Sequence, residues 1–244
     1  MDRIAIIGWG SLVWAPGDLA IEYPFQPTDL SLNLEFARRA SDGRLTLVLD
    51  PEIGVPCQVH ATRYDGENLN EAIRSLRLRE RVRTKEWIGY VNLKAGTRRA
   101  EAFDFDPASV LAIEDWGRRH KWDAVVWTAL RSNFPAPFTP DAAIRHLEAL
   151  WPHELHKALD YVRNTPPQVK TPVRTAVEAR FMSHKPPPSR DFAATQRVRL
   201  LDYGPRAPRK AASDQVRWSG ALTWVIALTA AAGFAWLRFF LSHS

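Results

Sequence analysis

The chemistry this chain could carry begins with one turn and a handful of side chains. Gly8-Trp9-Gly10-Ser11 follows directly on the apolar run Ile4–Ile7. Glycine admits positive φ and close backbone approach. Successive N–H groups in such a turn form a nest for an anion, for example a carboxylate. No Gly-x-Ser-x-Gly elbow surrounds Ser11, so the pattern of a serine hydrolase is missing. His153 and His156 stand three apart, close enough to share a helix face, but a third ligand is not in view and a surface helix is the better reading. Cys57 is the one cysteine. It excludes an internal disulfide, and as a nucleophile it would need an activating partner; a buried thiol in a strand is the simpler expectation. Glu80 sits among Arg77, Arg79, Arg81 and Arg83, a pattern that suits a solvated helix face as well as an acid/base group. Arg38 and Arg44 are candidates to pair with a substrate carboxylate.

The elements that must hold these groups read as follows. Ile4–Ile7 is a short buried strand, and residues 15–33, with Pro16, Pro24 and Pro27, read as an irregular loop. Leu32–Ala40 and Leu45–Leu49 are strands joined through Ser41-Asp42-Gly43-Arg44, a hairpin signal. Val55–Arg63 is a further strand. Leu69, Ile73, Leu76 and Leu78 place a helix over 68–81. Trp87–Leu93 and Arg98–Phe105 read as strands, Val110–His120 as a helix and Ala124–Thr128 as a buried strand. Pro140–Leu150 and His153–Arg163 are helices, and the chain after Thr165 reads as extended. The sum is an α+β fold in which a small, curved or barrel-like mixed β-sheet is surrounded by helices.

The chain has 244 residues, 45% hydrophobic and 25% charged, with a net charge of +6. The domain reads as 1–180, followed by a proline-rich basic linker over 181–217. Residues 204–217 carry four basic side chains and one acid, immediately before an uncharged run from Trp218 to Leu237. Twenty apolar residues match the thickness of a hydrocarbon core. Trp218 and Trp236 flank the run as an aromatic belt, and Arg238 can snorkel. The expectation is a transmembrane helix over 218–238. Arg206, Arg209, Lys210 and Arg217 place its N-terminal side in the cytoplasm. The position of the basic cluster favours a membrane over nucleic acid as its partner.

Gly8-Trp9-Gly10-Ser11-Leu12-Val13-Trp14 resembles the Tyr-Gly-Ser-Leu-Ile-Trp signature of the γ-glutamylcyclotransferase-like fold, with Trp9 where tyrosine is usual. That superfamily includes the ChaC-type glutathione-degrading enzymes. Phe36–Val48, Asp123–Thr128 and Thr165–Arg174 are similar to segments of a bacterial branch, so the likeness spans roughly residues 3–175. The resemblance implies a compact β-barrel-like core. It also implies cyclisation of a γ-glutamyl amine or peptide to 5-oxoproline, with no metal or cofactor. In that family a Leu-x-x-Arg-Glu stretch carries the acid/base glutamate shortly before a Gly-Tyr. Here Leu76–Glu80 precedes Gly89-Tyr90, which makes Glu80 the catalytic candidate and Glu86 the runner-up. Gly8, Trp9, Gly10, Ser11 and Leu12 are then the substrate-binding candidates. The alternative is a non-catalytic ligand-binding or adaptor module on the same fold. The sequence leaves the amine, the membrane and the oligomeric state open.

Overall fold

The computed structural model describes residues 2–182 of the chain. Its elements, in order, are β1 (Ile4–Gly8), α1 (Ser11–Trp14), β2 (Gln26–Arg39), β3 (Leu45–Leu49), β4 (Val55–Arg63), α2 (Leu69–Glu80), a 3-10 turn (Lys85–Trp87), β5 (Ile88–Asn92), β6 (Thr97–Arg98), α3 (Ala100–Phe105), α4 (Pro107–Arg119), β7 (Ala124–Thr128), α5 (Pro140–Glu148), α6 (Pro152–Asn164) and α7 (Pro172–Phe181). The expected α+β class holds. The strands form one mixed seven-stranded sheet in the order β3-β2-β4-β1-β7-β5-β6. Its hydrogen-bonded order is linear, with β3 and β6 at the edges.

Strand β1 is buried along its whole length because the sheet is covered on both faces. It runs antiparallel to β4 and parallel to β7. Alternate side chains point to opposite faces of a strand. Ala5 and Ile7 therefore join Val125 and Trp127 in one core, which α4, α5, α6 and α7 cover. Ile4 and Ile6 join Ala124 and Val126 in the other, where Leu12, Val13, Ala72, Ile73 and Leu76 from α1 and α2 pack. An uninterrupted apolar run is what such a doubly covered strand requires.

Three readings of the sequence need correction. Strand β2 begins at Gln26, inside the stretch read as loop. Pro27 is tolerated because β3 pairs only with Leu34–Arg39, which leaves the first half of β2 bonded on one side alone. The stretch 98–105 is not a strand. Only Thr97–Arg98 pairs with β5, and Ala100–Phe105 is helical. The alternation of Phe103 and Phe105 imitates a strand, while Ala100, Glu101 and Ala102 are good helix formers. The stretch after Thr165 is not extended throughout, because α7 follows Thr171. Pro172 stands at the first helical position, where a missing N–H costs nothing, and the Thr171 side chain accepts the Arg174 N–H. The linker over 181–217 lies outside the described residues beyond Met182, as does the whole expected membrane span over 218–238. Among the described residues no helix is long and apolar enough to cross a membrane.

Helix α7 is held by a buried carboxyl group that the sequence did not announce. Glu35, in the middle of β2, is 1% exposed. Its Oε1 accepts the Phe36 N–H at 2.7 Å and its Oε2 accepts the Val173 N–H at 3.3 Å. Burial pushes its pKa up, against the opposing pull of the Thr171 hydroxyl and the two amides. Replacing Glu35 by Ala removes an acceptor from two buried N–H groups. The expected loss is about 2–4 kcal/mol, at about 1–3 kcal/mol for each stranded donor and with partial relaxation, read as a shifted midpoint in chemical denaturation.

Candidate functional site

Beyond the C-terminal end of β1 the chain turns through Trp9 and Gly10 into the single-turn helix α1. Gly10 has φ 61° and ψ −144°. That region is almost closed to residues with a Cβ. Space makes the same demand, because a Cβ at Gly10 would stand 2.4 Å from the Tyr161 hydroxyl. Gly8 is held by packing, since its Cβ would meet the Phe25 ring at 2.7 Å. Trp9 is 7% exposed and Leu12 4% exposed, and both side chains belong to the cores. Of the five binding candidates, Trp9 and Leu12 thus have only backbone to offer. Ser11, half-buried, also has its hydroxyl.

Glu80 is the last residue of α2. Asn68 starts that helix by accepting the Asn70 and Glu71 N–H groups. Arg81, in the left-handed conformation at φ 55°, stops it. An acid at the negative end of a helix is unfavourable, and Arg77 and Arg79 in the last turn oppose that effect. The Glu80 side chain is only 18% exposed. Burial pushes its pKa up, with the Arg79 charge pulling the other way. The Arg79 Nη1 lies 3.7 Å from Glu80 Oε1.

Arg79 ties α2 to the turn. Its Nε donates to the Pro16 carbonyl at 2.9 Å and its Nη2 to the Ala15 carbonyl at 2.7 Å. The same Nη2 reaches Ser11 Oγ at 3.4 Å. These carbonyls follow α1, whose short ladder leaves acceptors to be satisfied. One guanidinium thus closes α1 and fixes Glu80 beside it.

The other wall comes from the opposite side of the sheet. Tyr161 on α6 is 8% exposed. Burial pushes its pKa up, the Glu80 charge adds to that, and the Ser11 N–H and hydroxyl oppose it. The Trp14 ring meets the Tyr161 ring edge-on at 5.3 Å, and the Arg44 guanidinium lies 5.4 Å from its centroid. Arg44 also pairs with Asp42 at 2.7 Å. Gly10, Ser11, Arg79, Glu80, Tyr161 and Arg44 therefore converge on one place. Arg38 is elsewhere, donating to the Arg131 carbonyl at 2.8 Å, and burial pulls its pKa down.

Glu86 is not brought to this turn. It stands on the 3-10 turn before β5, where the Thr84 hydroxyl draws its pKa down. It lines a cavity of about 180 Å³ together with Glu101, Asp106 and Trp127. A larger open groove of about 790 Å³ lies among Asp2, Glu67, Asn68, Glu71 and Tyr90. Neither space is lined by Gly10, Ser11 or Glu80. His153 is exposed, and His156 lies 3.2 Å from Asp160 on its own helix. Among the described residues no group of three or more His, Cys, Asp or Glu could hold a metal ion. Cys57 is 2% exposed, and burial pushes its thiol up.

Sequence reasoning missed Arg79 and Tyr161. Tyr161 had one usable signal: it lies on the stripe Ala158, Tyr161, Val162 of an amphipathic helix, and a tyrosine on a buried stripe needs a partner for its hydroxyl. Nothing local shows that Arg79 reaches back to α1.

Two outcomes follow from this geometry. Gly10→Ala forces a Cβ onto the Tyr161 hydroxyl as well as a disfavoured φ, at about 2–4 kcal/mol from strain and overpacking together. Adding Tyr161→Phe removes the clashing atom, so the double variant recovers part of that loss in thermal denaturation, and equal melting points for single and double variants refute the contact. The pH behaviour is specific to Glu80. Its raised pKa means that the folded state binds the proton more tightly than the unfolded state. Its contribution to stability is complete below the unfolded value of about 4.3 and is lost as pH rises through the folded value. Glu80→Gln removes that slope, so the melting point of the wild type relative to this variant falls with rising pH.

In comparisons with known proteins the chain matches no family model, no curated protein and no solved structure.

Proposed function

We propose that this chain is a γ-glutamylcyclotransferase-like enzyme that converts a γ-glutamyl amine or peptide to 5-oxoproline and the free amine. Membership of that superfamily is part of the proposal. The observation that carries it is the buried Glu80 carboxyl group with its raised pKa, fixed by Arg79 beside the Gly10–Ser11 turn. Burial and a positioned charge are how a carboxyl group is tuned for proton transfer near neutral pH.

In this reading the ionised Glu80 takes a proton from the substrate α-ammonium group. The freed amine attacks its own γ-carbonyl carbon, and a tetrahedral intermediate forms. The bond to the leaving amine then breaks as Glu80 returns a proton to that nitrogen. The ring nitrogen loses a second proton and keeps one. The leaving amine departs as an ammonium ion, so charge and protons balance. Nucleophile and electrophile share one molecule, and holding the bent conformer supplies much of the rate. The Ser11 N–H and the Tyr161 hydroxyl are the donors at hand for the substrate carboxylate or the developing oxyanion. Arg44, next to the Tyr161 ring, is a second cation near the turn besides Arg79, available to the carboxylate. The uncharged run Trp218–Leu237 would tether this domain to a membrane, with the domain on the cytoplasmic side.

The second reading is a ligand-binding or adaptor module without catalysis. It is favoured by the Ser11 N–H and hydroxyl already engaging Tyr161. Entry of a substrate carboxylate must then displace that hydroxyl.

The deciding assay follows 5-oxoproline release from a panel of γ-glutamyl amides, glutathione included. Release is expected from at least one member. Glu80→Gln lowers kcat about 10²–10⁴-fold, the usual weight of a general acid/base, while Glu86→Gln leaves it unchanged. The rate also falls as pH drops through the raised pKa of Glu80. No release from any member by the folded protein transfers the assignment to the binding module.

A further inference from the structure

The outer side of α2 carries a charge pattern that the cyclotransferase reading does not use. Arg74, Arg77, Leu78 and Arg81 stand three or four residues apart, so they share one face, away from the buried Ala72, Ile73 and Leu76. Arg74 and Arg81 are exposed, and Leu78 is 60% exposed. Arg83 and Lys85, on the connection to β5, are exposed too. The Val82 N–H donates to the Arg77 carbonyl at 3.3 Å, and Arg77 Nη1 donates to the Arg83 carbonyl at 3.0 Å, so the connection folds back on the helix end. Trp87, 37% exposed, closes the 3-10 turn that packs against α2.

Few acids answer these cations. Within residues 74–87 the acids are Glu80 and Glu86. The Glu80 side chain is largely buried beside Arg79, and Glu86 is shared by Arg99 and Lys85. Among the described residues Arg74, Arg77, Arg81 and Arg83 form no ion pair within 4.0 Å. Elsewhere on the surface Arg63, Arg98 and Arg180 each meet a carboxylate, at 2.8–3.1 Å. Like charges three and four apart on a helix repel. Arg81 adds an independent sign. Its N–H donates to the Leu78 carbonyl at 3.1 Å while the residue holds φ 55°. Glycine is the usual residue at that position, because a Cβ is penalised there. The fold asks for glycine, and the chain places a third cation in line with Arg74 and Arg77. Departures of that kind concentrate at functional sites.

Unpaired arginines fit an anionic partner, and the apolar side chains among them select its kind. A leucine and an indole ring suit the boundary between lipid headgroups and acyl chains. A nucleic-acid backbone would leave Leu78 nothing to bury against. We propose that the C-terminal half of α2, with Arg83, Lys85 and Trp87, docks on an anionic lipid surface, its cations at the headgroups and Leu78 beneath them. This contact is additional to the expected span over 218–238 and does not depend on the cyclotransferase reading.

The test uses the full chain. Cys57, the one native cysteine, is buried, so an environment-sensitive nitrobenzoxadiazole dye goes to the thiol introduced by Leu78→Cys. The labelled protein is reconstituted into vesicles of phosphatidylcholine alone or with about one third phosphatidylserine. Blue-shifted emission, quenched by nitroxide-bearing lipids, is expected in the anionic vesicles only, and about 0.5 M salt reverses it. A dye at Leu111→Cys, 52% exposed on α4 across the sheet, stays aqueous. Arg81→Gly lowers the ratio of lipid-bound to aqueous dye about fivefold, the weight of one basic residue at a charged surface, and raises the melting point. A purely structural Arg81 would not separate those two readouts. Arg74→Gln gives a similar loss of binding without the change in backbone. Sedimentation with the neutral vesicles reports the span separately; where the chain does not insert, anionic vesicles are added to it and the same comparison is made. Equal dye response in neutral and anionic vesicles overturns the proposal, as does an equal response at Leu111→Cys. So does unchanged binding in both arginine variants, or a response to a short oligonucleotide with none to anionic vesicles.

Discussion

The constraint on which this structure depends is the burial of β1 on both faces. Ile4 and Ile6 demand one layer, and Ala5 and Ile7 another. Helices must therefore cover both sides of the sheet, and the chain leaving β1 emerges between the two layers. The Gly10 turn lies at that exit. It receives Glu80 and Arg79 from α2 on one side and Tyr161 from α6 on the other. The carboxyl group and the phenol thus reach the same backbone turn from opposite layers.

Arg79 makes the arrangement stiff. Its guanidinium serves carbonyls at two positions after α1, touches the Ser11 hydroxyl, and stands beside Glu80. A planar fork of donors suits that task, and a lysine would not reproduce it. Its charge also limits how far burial can raise the Glu80 pKa. The carboxyl group is thus set between desolvation and a neighbouring cation, the two opposed influences through which proteins tune an acid/base residue. Tyr161 is affected in turn, since its burial beside the Glu80 charge keeps the phenol neutral as a donor.

Glu35 shows the same logic in a structural role. It is a buried acid with one oxygen on the Phe36 N–H and the other at the start of α7, where unpaired N–H groups and the helix dipole favour an acceptor. Asp106 is the contrasting case. One oxygen caps α4 and the other is buried without a partner. The two sites differ in whether the protein itself supplies the second donor.

Much of the fold was legible because it rests on short-range rules. Val55–Arg63 alternates, Asp42-Gly43 turns a hairpin with Gly43 at φ 82°, and Leu69, Ile73 and Leu76 repeat at helical spacing. The errors also have local causes: Pro27 hid the start of β2, alternating phenylalanines imitated a strand, and Pro172 opens a helix inside the stretch read as extended. The sequence by itself determined the buried β1, the glycine turn after it and the presence of Glu80 at the end of a helix. Only the tertiary structure decided that Glu80 rather than Glu86 reaches that turn. It alone decided that Arg79 bridges 64 residues to Ala15 and that Tyr161 closes over Gly10. The physical reason is distance along the chain. Periodicity and capping act over one or two turns, whereas these partners meet only after two cores have packed on opposite faces of one sheet.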